Sequence, residues 1–405
     1  EPEPTTSTSA PVETTVPEAA DPELYLMLMW HQHQPFYPLD DDGNVTRPWV
    51  RVHATKDYVD MATTVAAYPD VHVTFNLTPV LLTQIQDFLD GTRDLYWVHT
   101  EVPAAELSDE QKAFVLRRFF DTNEAIVARF PRYAALAETR SAAGGADAPV
   151  DTFTTDDFRD LQVLWNLAWT DPDFLAQEPL ASLVAKAEGF TEEDKTTLLA
   201  EHERIVGLVF DAHADLWDAG QIEVTTTPLA HPILPLIIDS GTAAVGDPSA
   251  VLPTNRFSEP DDAALEVTRG IELAEELLGR RPVGMWPGEG AVSQLAASVM
   301  AREGVEWIAT GEPVLAASLG LGESFPRGEG DVPDDAAELY RPHAATFSNS
   351  DPLPIFFRDL RLSDLVGFEY SGTEGQVAAD DFIGRLEAIK DTLGPSPDGA
   401  PWVVS

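Results

Sequence analysis

Cysteine is absent from the 405-residue chain. Disulfides, thiolate metal ligands and a cysteine nucleophile are therefore excluded, and the redox compartment is left open. Lysine is nearly as scarce, limited to Lys56, Lys112, Lys186, Lys195 and Lys390. Basic side chains number 25 against 69 acidic ones, a formal net charge of −44. Nucleic acids and anionic membrane surfaces are bound by neutralising phosphates with basic groups, so this charge argues against any polyanionic partner. An acidic surface poor in lysine suits salty surroundings, where screening removes self-repulsion; the competing account is compositional drift in a secreted protein. No apolar run approaches the ~18 residues that cross a bilayer, so no membrane span is expected.

What is present begins with a polar leader. Residues 1–22, EPEPTTSTSAPVETTVPEAADP, hold almost no large apolar side chain and cannot bury enough surface to offset ordering. They read as a disordered linker rich in Pro, Thr, Ser and Glu. The chain starts at Glu1 rather than Met, the pattern expected of an extracellular or cell-surface protein after signal-peptide removal, with the linker as a lipid-anchored tether.

Beyond the leader, residues 23–31 (ELYLMLMWH) form a near-continuous apolar run, suited to a strand buried on both faces of a parallel sheet. Six further strand candidates follow at 71–82, 222–229, 283–286, 305–310, 355–359 and 402–405. Helix-periodic text separates them, which predicts consecutive βα units and an α/β, barrel-like parallel sheet. The longest spacer, about 90–219, is acidic and mostly helix-periodic, punctuated near Pro131, Gly144 and Pro179, and reads as a helical insertion on one barrel loop. Its Trp97, Trp165, Trp169 and Trp217 are expected to pack between helices rather than serve a ligand.

Polar side chains gather after the strands, on the rim where α/β folds place their ligands. His31 and His33 lie two residues apart on an extended segment and face one way. With no carboxylate or third histidine nearby in sequence, they suit hydrogen bonding to a polar ligand better than a metal. Glu223 lies at the start of the strand at 222–229 and His231 just after it, Arg358-Asp359 ends another, and PVGMWPGEG (282–290) sets Trp286 and Glu289 at a Pro-Gly turn beyond a strand. Glu289 is the first candidate for chemistry, against the bland alternative of an exposed loop glutamate.

These residues carry a resemblance. HQHQPFY (31–37), GQIEVTTTPLAHPILPLI (220–237), GMWPGEGAVS (284–293) and FFRDLRLSDLVGFEYS (356–371) resemble, in order, the signature regions of glycoside hydrolase family 57. That family holds α-amylases, amylopullulanases, 4-α-glucanotransferases and branching enzymes. The resemblance covers most of residues 23–405. It implies an incomplete (β/α)7 barrel and a retaining glycosidase acting on an α-glucan polysaccharide or oligosaccharide, with Glu289 as the nucleophile. It also implies that His31, His33, Glu223, His231, Trp286 and Asp359 bind the sugar; for Asp359, as for Asp364, holding neighbouring loops is the alternative role. No cofactor is implied; calcium occurs in such enzymes, and no residue pattern here assigns it.

Two departures stand out. Where relatives carry an acidic residue this chain has Gly311, so a subsite contact is either missing or supplied by Glu312. The acid/base aspartate of the family follows a strand like residues 401–405, which places it beyond Ser405 and predicts a chain truncated before the helical bundle and impaired in turnover. An amylase or amylopullulanase-like hydrolase is the expected activity. A 4-α-glucanotransferase, a branching enzyme and a noncatalytic α-glucan-binding protein are the alternatives. Polysaccharide deacetylation on a related barrel would need an Asp-His-His metal set whose spacing is not visible here.

Overall fold

The computed structural model describes residues 24–348, 351–397 and 399–405; the leader expected at 1–22 lies outside them. Among the described residues nine strands are formed: β1 (Leu24–Leu26), β2 (Met29–Gln32), β3 (Val73–Leu77), β4 (Ile222–Thr225), β5 (Gly284–Met285), β6 (Trp307–Gly311), β7 (His343–Ala345), β8 (Leu353–Arg358) and β9 (Trp402–Val404). β2, β3 and β4 are parallel neighbours, as are β5, β6 and β8, and as are β1 and β9. A Thr226–Met285 bridge joins β4 to β5, and the Asp359 amide donates to the Ser405 carbonyl (2.6 Å), tying the end of β8 to the end of β9. The result is a ring of parallel strands with helices outside, the α/β architecture read from the alternation of apolar runs and helical text.

Two details depart from the pattern of apolar runs. The first run is two strands, because the chain changes partner between Leu26 and Met29, from β9 to β3. β7 is an antiparallel addition on the edge of β8. The run at 71–82 also stops short as a strand. Thr78 caps a helix, Pro79–Leu89, whose proline sits in the first turn, where the missing amide is no loss.

Between β3 and β4 the chain is helical. Its helices Thr155–Ala168 and Glu192–Asp218 both open on capping boxes, Thr154 with Asp157 and Thr191 with Asp194. Trp97 and Trp165 are buried in the core of this helical region and Trp169 packs half-buried against it, while Trp217 belongs instead to the core under β3 and β4. Among the described residues no helix is long and apolar enough to cross a membrane.

The helical core is organised around a buried cation. Arg51 is 2% exposed and lies 5.6 Å from the ring centroids of both Trp97 and Trp165. Its guanidinium donates to Asp94 (2.6 and 3.2 Å), to Asn166 Oδ1 (3.0 Å) and to His202 Nδ1 (2.9 Å). Because arginine only donates, His202 must accept at Nδ1 and carry its proton on Nε2, which faces Thr170 Oγ1 at 2.9 Å. Burial, and then the Arg51 charge, hold the His202 pKa well below its ordinary value. His213, also fully buried, is lowered by the same desolvation.

Replacing Asp94 by alanine leaves the Arg51 charge buried and unpaired; urea unfolding should show a loss of about 3–5 kcal/mol. The histidines add a pH dependence. Their folded pKa values lie below the unfolded value of 6.5, so the stability they contribute is complete above that pH and is lost as pH falls beneath it. Unfolding midpoints should drop between pH 7 and pH 5, and less steeply in His202→Gln.

Candidate active site

The site lies where β2, β3, β4 and β5 end. Register places His31 opposite Asn76, and Asn76 opposite Thr225, so the three side chains share one face at one level. Asn76 Nδ2 donates to Thr225 Oγ1 and to the Thr226 carbonyl, both at 2.9 Å. A carbonyl can only accept, which fixes the amide orientation and leaves Asn76 Oδ1 to accept from His31 Nδ1 at 2.6 Å. His31 is thereby held with its proton on Nδ1 and its Nε2 free. His33 Nδ1 lies 3.3 Å from Thr78 Oγ1.

A third imidazole completes the group. His231 stacks on His33 with centroids 4.4 Å apart and lies 5.2 Å from His31. Its side chain is 5% exposed, and its Nε2 accepts from the Glu289 amide (3.4 Å) and lies 3.6 Å from Glu289 Oε1. Desolvation, followed by the neighbouring His33 and His31, pushes the His231 pKa down to about 3. His31 and His33 are lowered as well, first by desolvation; His31 borders open solvent in the cleft but is hemmed in by protein elsewhere. The cluster is therefore neutral and able to accept or donate hydrogen bonds. Glu289, 70% exposed, is the carboxylate set against it.

Backbone strain marks the same pair. His231 (φ 56°) and Glu289 (φ 55°) are two of the four described non-glycine residues with positive φ. Such a conformation costs about 1–3 kcal/mol and persists where the surroundings over-determine it. The cause is visible: the loops after β4 and β5 touch at Gly288, where an added Cβ would lie 2.2 Å from the Pro232 carbonyl oxygen. The Glu289 turn is also tied down by Thr310, whose hydroxyl donates to the Gly290 carbonyl. Trp286 stands beside the group, its ring centroid 6.3 Å from that of His31, and its amide donates to the Thr226 carbonyl (2.9 Å). His31 and Trp286 line a cleft of about 260 Å³ that also borders Trp30, Arg358 and Ser405.

Of the residues singled out from sequence, His31, His33, His231, Trp286 and Glu289 come together. Glu223 does not join them. It lies two residues before Thr225 on the same face of β4, a layer deeper, where its carboxylate accepts from Trp307 Nε1 (3.0 Å) and burial raises its pKa. Asp359 is a correction of another kind. It is fully buried, with Oδ1 accepting from the Leu362 amide (2.9 Å) and Oδ2 from Tyr340 (2.6 Å) and Arg327 (3.1 Å), so no oxygen is left for a ligand. Glu312 is 1% exposed and bound to Arg327 and the Leu360 amide, so it cannot replace a subsite contact missing at Gly311. Asn76 belongs to no motif; its one signal in the sequence is an amide in a mostly apolar strand.

A family model described as Glycosyl hydrolase family 57 matches residues 27–403. No curated protein matches the chain. Solved structures it resembles include the α-amylase AmyC of Thermotoga maritima (14% identity, 84% of this chain and 46% of that one, TM-score 0.43). The GH57 branching enzyme of Thermococcus kodakaraensis, solved with glucose, is similar at 14% identity (84% and 48% covered, TM-score 0.42). A GH57-type branching enzyme of Pyrococcus horikoshii shares 15% identity over 94% of this chain and 62% of its own (TM-score 0.45). The chain spans about half the length of the first two.

Gly288→Ala should force the two loops apart, costing about 1–3 kcal/mol in denaturant unfolding through overpacking, with a larger effect on ligand binding than on the fold. A histidine-resolved NMR titration should find His231 still neutral at pH 5, where an unperturbed imidazole is mostly charged.

Proposed function

This chain belongs to glycosyl hydrolase family 57, and from that membership we propose that it is a retaining glycosidase that cleaves α-glucans, with Glu289 as nucleophile. The observation that supports this most is a solvent-accessible carboxylate set against His231, which itself packs against two further neutral imidazoles, with Trp286 beside them, at the rim of the ring of parallel strands. A Glu289 oxygen attacks the anomeric carbon, the glycosidic C–O bond breaks and the leaving oxygen takes a proton. Water then opens the glycosyl ester. Neutral histidines suit a neutral ligand: His31 Nε2 and His33 can bond sugar hydroxyls without competing for the charge of Glu289. Retaining chemistry also needs a second carboxyl group about 5–5.5 Å from the first; Asp359, with both oxygens bound and buried, does not supply it.

Hydrolysis is favoured over transfer to a second sugar because the nucleophile is open to water, its side chain being 70% exposed. The test uses an aryl α-maltoside whose leaving group needs little protonation. The parent chain should release a burst of phenol equal to the enzyme added and gain the mass of one glycosyl unit; Glu289→Gln should do neither. Equal behaviour of the two, with maltooligosaccharide binding retained, would make this a glucan-binding protein without chemistry.

A further inference from the structure

Arg51 and Arg327 are drawn into the interior and both are satisfied by carboxylates. Arg358 is not. It ends β8, opposite Gly311 of β6, and so stands on the same rim as Glu289. Its guanidinium carbon lies over the Trp286 ring, 5.8 Å from the centroid, and it lines the cleft shared by His31 and Trp286. Among the described residues it has no carboxylate partner, and its Nε is shielded from water without any acceptor. In a chain of net charge −44, the fold leaves this cation on the cleft wall with an indole beside it and, among the described residues, no carboxylate to neutralise it. A shielded donor of this kind is completed by an acceptor that arrives from outside.

We propose that Arg358 is a substrate-binding residue whose guanidinium donates to a pair of neighbouring hydroxyl oxygens on the neutral sugar unit that enters beside His31. Two arguments select that chemistry. The planar fork of donors matches two acceptors at fixed spacing, as a vicinal diol offers. An anionic ligand would meet Glu289 and the acidic surface, whereas hydroxyls carry acceptor lone pairs without charge. The Arg358 charge also disfavours a proton on His31, which keeps that imidazole available for hydrogen bonding.

The assignment rests on the α-glucan reading, and the experiment separates the two. The full chain, Arg358→Met and Arg358→Lys are titrated with maltotetraose by calorimetry, with thermal midpoints and the His31 titration followed in parallel. The parent should bind; the methionine variant should bind about tenfold more weakly, the scale of one lost charge-assisted hydrogen bond; and the lysine variant should fall between. The His31 pKa should rise in Arg358→Met while the thermal midpoint stays put. Binding unchanged in Arg358→Met overturns the role of Arg358 alone, and a parent that binds no α-glucan overturns the functional reading with it. Should Arg358→Met fail to fold, parent-like affinity in Arg358→Lys is the overturning result.

Discussion

The carbonyl of Pro232 presses so closely on Gly288 that no side chain fits between them, and the geometry of the site follows from that contact. Two loops that leave different strands are locked together at one point. The residues beside it, His231 and Glu289, are forced into left-handed backbone conformations. Their side chains then meet, the imidazole under the carboxylate. The strain is local and is held by the surrounding ring of parallel strands, whose register sets Asn76 against His31 and so fixes the next imidazole in turn. Pre-organisation of this kind lowers stability, and it spares the site the entropy loss of ordering when a ligand arrives.

Much of this arrangement is legible in the order of residues alone. Strands announce themselves as unbroken apolar runs, even where, as in β1 and β2, they are only half-buried, and the polar residue that ends such a run lands on the rim. His31, His33, Trp286 and Glu289 are legible for that reason, and the four motifs that carry the family resemblance lie around the same residues. Depth along a strand is not legible. Glu223 stands in the same text as His231, yet it falls one layer below the rim because β4 ends at Thr225. Nor can sequence tell a carboxylate that faces a ligand from one that faces an arginine. Asp359 follows a strand as a catalytic residue would, and is occupied by a helix cap, a tyrosine and Arg327. Asn76 acquires meaning only through strand pairing, which sequence order does not reveal.

The arginines show how one side chain serves different ends according to its neighbours. Arg51, held between two indoles and matched by Asp94, orders the helical region around it. Arg327 joins Asp359 to Glu312. Both are structural cations, fully answered by the protein. Their completeness is what makes the unanswered Arg358 informative, since the same fold that satisfies two buried guanidinium groups has left a third facing the cleft.

The knot of Glu312, Arg327, Tyr340 and Asp359 has an evolutionary corollary. It fastens the ends of β6 and β8 and, through the Asp359 amide, Ser405 just past β9. Burial and the Asp359 charge hold the Tyr340 phenol protonated, so it acts as a permanent donor. Four side chains that satisfy one another cannot drift singly, because the loss of any one strands a charge or a donor in the interior. Lineages of this protein should therefore exchange these four positions as a set or keep them all, while the cleft wall a few residues away is free to diversify.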